Sequence, residues 1–225
     1  MTMVPFMASA SWYAEWLRGL SIGMPEAEAV GLANCAADVY GKDFARCRIR
    51  GNAGEILLSE AIEGGSPRLN RASALPKLML SDHGNWRHVH IGALNAAYGR
   101  APYFQHFMPL LNVVYNSEEK SLMRFNLMIH YAIRKMLFGD YDPLRLIKDV
   151  GASAMALRRG KEIASEMPMK ISVIDSLMRL GRDTTLALVS DLNKDFQNEI
   201  FLNKDFQNEI FLNNDSLNND SFLSF

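Results

Sequence analysis

Residues 44–59 read FARCRIRGNAGEILLS. Phe44 to Arg50 alternates, with Arg46, Arg48 and Arg50 on one face and Cys47 and Ile49 on the other, the period of two expected of a strand. Gly51-Asn52-Ala53-Gly54 is turn sequence, since glycine reaches positive φ without a side-chain clash. Glu55 to Ser59 then returns as the partner strand, so the stretch predicts a β-hairpin with a basic face.

Upstream, Val4 to Ala8 is short and apolar and reads as a buried strand. Ser9 or Ser11 is placed to cap a helix over Trp12 to Leu20, where Trp12, Trp16 and Leu20 recur at four-residue spacing. Gly23 and Pro25 end it, and Val30 to Ala33 reads as a second strand. Downstream, Gly64-Gly65-Ser66-Pro67 opens an irregular linker to about Lys77, and Leu78 to Leu80 reads as one more short strand. From Asp82 onward the pattern is helical. Gly99 stops the first helix and Pro102 opens the next. Helices follow near 103–115, 118–138 and 144–159, then Ile171 to Leu180 ended by Gly181, and a last one capped by Asp183 and running to about Leu192. The expected fold is α/β: a small mixed sheet from the N-terminal third, covered by a helix-rich C-terminal two thirds. Residues 1–192 form the one domain. The remainder, 193–225, repeats NKDFQNEIFL without change and then a shorter Asn-Asn-Asp-Ser unit. A ten-residue period drifts about 80° per repeat around a helix, so no apolar stripe forms. It reads as a low-complexity extension whose removal leaves the domain folded.

The chain has 225 residues, 48% of them hydrophobic, enough for one domain with a real core. With 24 basic and 25 acidic residues the formal net charge is -1, which gives no electrostatic reason to expect nucleic acid or an anionic membrane as partner. Short clusters at Arg46/Arg48/Arg50 and Arg158/Arg159/Lys161 read as solvated faces, with Arg46 evenly balanced between that and an anion contact. Cys35 and Cys47 make no disulfide scaffold and suit reduced thiols in the cytoplasm. No apolar run has the length of a membrane span, and the first ten residues lack the basic start of a signal peptide.

Four of the five histidines, His83, His88, His90 and His106, fall within or beside Ser81–Phe104. On a helical wheel, residues 86–98 present an apolar arc about 220° wide with His90 near its middle, while His88 faces the polar side. Two residues apart on a helix, the pair diverges by about 200° and cannot share a metal, which wants spacing of three or four. No metal site is expected, and the sequence names no cofactor. His90 has two readings: a buried imidazole near Trp86, one turn earlier, or a general acid–base group at the floor of a cleft. Trp86, Tyr98 and Tyr103 carry the same two readings. Asp82 sits where an N-cap aspartate belongs, accepting from the amide of Asn85. There is no P-loop, Gly-x-Gly-x-x-Gly, Gly-x-Ser-x-Gly, Cys-x-x-Cys or His-Glu-x-x-His, which removes the commonest nucleotide, hydrolase and zinc chemistries.

Asp82-His83-Gly84-Asn85-Trp86, then His90, Tyr98, Pro102, Tyr103 and Phe104, resembles the central motif of the WbqC-like proteins. Ser11-Trp12-Tyr13-Ala14, Ala45-Arg46-Cys47-Arg48-Ile49 and Ser172 to Leu188 extend the likeness over about residues 3 to 192. The chain departs from the pattern with Ala45 in place of Asn, Ile91 in place of Trp, and a shortened stretch between Tyr40 and Phe44. The resemblance implies a bacterial protein of surface-polysaccharide (O-antigen) assembly and an aminoacyl, specifically glycine, transferase. It implies His90 as the catalytic base, and Arg46, Asp82, Trp86, Tyr98 and Tyr103 around a small-molecule substrate. The alternative is a non-catalytic small-molecule or protein-binding module on the same fold.

Overall fold

A computed structural model describes residues 3–70, 72–140 and 170–192. The helix expected near 144–159 and the repeated tail from 193 lie outside the described residues.

The hairpin forms where the alternation puts it. β1 (Arg46–Gly51) pairs antiparallel with β2 (Gly54–Ser59), Cys47 opposite Leu58 and Ile49 opposite Ile56. Cys47, Ile49 and Leu58 are buried while Arg48 and Leu57 face out. The other edge of β1 is taken by the far end of the chain. Ile171 bridges Arg48 in parallel and Ser172 bridges Ser9 in antiparallel. The Ser172 amide donates to the Arg48 carbonyl at 2.9 Å, and Val173 donates to that of Ala8 at 3.0 Å. The expected mixed sheet is thus a two-stranded antiparallel one extended only by isolated bridges, and the fold is mixed α/β.

Two short apolar runs read as strands are not strands. Residues 4–8 form a buried segment that turns at Phe6 and Met7, with Met7 at φ 45°. It is held through side chains: Asn126, fully buried, donates its amide to the carbonyls of Val4 (3.1 Å) and Phe44 (2.7 Å). Val30 to Ala33 lies inside α2 (Glu26–Ala36), a short run whose period alone does not separate strand from buried helix. Its alanines let α2 press on α1 (Ala10–Ser21), and a Cβ on Gly19 would meet that of Ala29 at 2.8 Å. Ser9 caps α1, its hydroxyl accepting from the Trp12 amide at 3.2 Å. Residues 78–80 contribute only isolated bridges, Met79 to Ser121 and Leu80 to Ile62.

Helices α3 (Trp86–Tyr98), α4 (Phe104–Tyr115) and α5 (Leu122–Phe138) follow in the expected order. A last helical stretch, 173–192, is interrupted at Gly181, which has φ 78°. The space a side chain would need there is filled by the ring of Tyr103. The core joins α1, α3, α4, α5 and this last stretch, with Trp12, Tyr13, Trp16 and His130 packed ring to ring. Among the described residues no helix is long and apolar enough to cross a membrane.

Candidate functional site

The wheel of α3 is confirmed at its centre. Trp86, His90, Leu94, Ala97 and Tyr98 are buried and His88 is exposed. The arc is narrower than expected, for Val89 is 59% exposed.

His90 is 3% exposed. Its Nε2 lies 3.1 Å from the carbonyl of Ser59, which only accepts, so Nε2 carries the proton. Nδ1 is then left to accept from the Tyr115 hydroxyl at 3.1 Å. The ring stacks on Phe6 and meets Trp86 and Tyr115 edge-on. Burial holds its pKa down at about 4, partly offset by the Ser59 carbonyl. The imidazole is thus neutral near pH 7, with both nitrogens engaged. Trp86 is buried beside it and donates its indole N–H to the Ser81 carbonyl at 2.8 Å.

The other expected residues lie apart. Asp82 does not cap α3: its own backbone is helical, and its exposed carboxylate pairs with Lys120 at 2.9 Å, which lowers its pKa. Tyr103 packs on Gly181 and Phe107, and its amide donates to the Met178 carbonyl. Tyr98 is fully buried and donates its hydroxyl to Asp175 at 3.0 Å; burial, then the charge of Asp175, pushes its pKa up.

Of the six, Asp82 lines an open groove with Glu60, Glu63, Ser81 and His83, and Arg46 lines a second, smaller cleft. It opens between the segment before α1, the end of α2 and the start of β1, has a volume of about 70 Å³, and is walled by Phe6, Met7, Asp38, Asp43, Arg46 and Lys170. That is room for about five waters, hence for a small charged group. Among the described residues, two of the three non-glycine ones at positive φ, Met7 (45°) and Asp38 (49°), sit in this wall, and such strained backbone gathers at working sites. Each aspartate is oriented by Tyr40: Asp38 accepts from its hydroxyl at 3.1 Å and Asp43 from its amide at 2.9 Å. Cys47 also touches the cleft, but burial and the nearby Glu60 push its thiol pKa up, which disfavours the nucleophilic thiolate. Phe6 is shared, forming part of the wall and stacking on His90 behind it. Asp38, Asp43 and Lys170 carry no motif that would have marked them. Among the described residues, no group of three or more His, Cys, Asp or Glu is placed to hold a metal ion.

Residues 42–153 match the model of the WbqC-like protein family. The chain belongs to that family. The matched part of this WbqC-like protein takes in Arg46, the hairpin, the Trp86–His90 core and helices α3 to α5. Neither the curated proteins nor the solved structures give a match.

Proposed function

We propose that this WbqC-like protein takes a small zwitterionic metabolite in the Arg46 cleft and acts in the cytoplasm as an aminoacyl, glycine-type transferase of bacterial surface-polysaccharide (O-antigen) assembly. The observation that carries the binding half is the meeting of Arg46 and Lys170 with Asp38 and Asp43 on one small cleft. Cations complement a carboxylate, and carboxylates complement an amine, at either end of an amino acid. Family membership supports the transferase half. His90 enters as a positioning residue. A general base needs a lone pair facing the substrate, whereas both nitrogens of this ring are engaged behind Phe6. Trp86, Tyr98 and Tyr103 then support the fold away from the cleft, and Asp82 forms an exposed ion pair with Lys120.

Calorimetric titration of the full chain with glycine tests the binding half. Binding that Arg46→Gln weakens at least about tenfold is expected, since a charged hydrogen bond is lost; equal affinity in the variant refutes it. Incorporation of labelled glycine from an activated donor into an isolated O-antigen unit tests transfer. The second reading, a binding module without chemistry, is favoured by the engagement of both His90 nitrogens. It predicts binding with no turnover for any donor and acceptor pair.

A further inference from the structure

We propose that Arg50 and Arg179 form a second site, one that binds the phosphoryl group of a small phosphate or pyrophosphate ester. Arg50 comes from β1 and Arg179 from the last helical stretch, 129 residues apart in sequence. They meet over Asp175, whose side chain is 1% exposed. Arg50 donates to Oδ2 through Nε at 3.1 Å and Nη2 at 3.0 Å. Arg179 donates through Nε to Oδ1 at 3.1 Å, and the Tyr98 hydroxyl reaches the same oxygen at 3.0 Å. Arg179 also donates Nη2 to the Arg50 carbonyl at 3.0 Å and lies 5.3 Å from the Tyr98 ring centre. Both guanidinium groups are therefore fixed in orientation.

One arginine neutralises one carboxylate. The second leaves a surplus positive charge, and holding two cations together costs repulsion that an anion relieves. The Nη1 amines of both have no partner among the described residues. The side chains are 36% and 38% exposed, so the solvent side of the cluster is cationic and rich in donors while its carboxylate is sealed behind them. The nearest acidic neighbour along the hairpin, Glu55, is engaged by Arg48 at 3.0 Å. A multiply charged tetrahedral anion offers separate oxygens to two forks, which a single planar carboxylate does less well. A groove of about 300 Å³ starts at the next residue, Gly51, and is walled by Asn52, Ala53, Ala96, Ala97 and the Arg48-paired Glu55, with room for the rest of an ester. This site does not depend on the Arg46 cleft, which lies four residues and about 13 Å back along β1.

The test is titration calorimetry of the full chain with inorganic pyrophosphate at low ionic strength, with malonate as the carboxylate comparison. Pyrophosphate binding is expected, stronger than malonate. Arg50→Lys and Arg179→Lys keep a charge for Asp175 but lose the fork, and each is expected to weaken binding at least about tenfold. Arg46→Gln is expected to leave it intact. No binding, equal binding of malonate, unchanged affinity in both lysine variants, or loss in Arg46→Gln alone overturns the proposal. Phenylglyoxal labelling of the unsubstituted protein, read by mass spectrometry, gives an answer that needs no variant to fold. Protection of Arg50 and Arg179 by pyrophosphate is expected, and unchanged labelling of both overturns the site.

Discussion

His90 and Glu60 show what burial does to single ionisable side chains. His90→Ala would open a void and leave the Ser59 carbonyl and Tyr115 hydroxyl without their partner. The expected cost is about 3 kcal/mol in urea denaturation, from cavity and orphaned polar groups together. A loss below about 0.5 kcal/mol would contradict the geometry. Glu60 is the opposite case. Both of its carboxylate oxygens are buried without a hydrogen bond, and burial raises its pKa, against a smaller lowering by Arg87. With the folded pKa above the unfolded one, its contribution is fully present below the unfolded value of about 4.3 and is lost as pH rises. Glu60→Gln is therefore expected to be more stable than the parent at pH 8, with a gain that shrinks toward pH 4; chemical denaturation at the two pH values decides it. The inward turn of His90 is legible from the wheel of α3. Its two hydrogen-bond partners are not, because they lie 31 and 25 residues away on other elements.

Among the elements, Gly181 is the point most exposed to substitution. Its positive φ disfavours any side chain, and an added Cβ would come within 2.5 Å of the Tyr103 ring. Gly181→Ala is expected to cost at least about 2 kcal/mol, seen as a fall in melting temperature, and Tyr103→Ala in the same chain should recover the part due to the clash. Glycine at this place was readable as a helix stop; the ring that closes on it was not. The same division runs through the fold. The hairpin and α1 are written locally, in alternation, turn glycines and a capping serine. Val4 to Ala8 and Val30 to Ala33 are short apolar runs whose conformation is set by partners elsewhere, Asn126 for the first and the small-residue contact with α1 for the second. Of the charged cluster at Asp175, the spacing to Arg179 is a helical i,i+4 signal, but nothing in the sequence joins it to Arg50.

For the whole molecule, two buried histidines set the acid limit. Burial holds His90 down at about 4 and His130, with the charge of Arg134 adding, at about 3. The unfolded chain takes up both protons near pH 6.5. Stability from these groups is present above that value and falls as pH descends toward 4 for the first and 3 for the second, by about 1.4 kcal/mol per pH unit for each. The melting temperature is expected to drop steeply between pH 6 and 4, and His130→Gln to lower the slope by about half across that range. A flat profile over that range would mean the imidazoles are reachable by protons in the native state.

The stitch of residues 171–173 to Arg48 and Ala8 bears on biosynthesis. Emerging from the ribosome, the first fifty residues have no native neighbour for that edge of the hairpin until well over a hundred more have been made. The nascent polypeptide thus carries an open strand edge and an unpaired apolar segment at residues 4–8 until residues 171–173 have emerged, a state that favours chaperone capture and misassociation. Stalled products ending before residue 170 should accumulate as chaperone-bound or degraded species instead of partially functional protein.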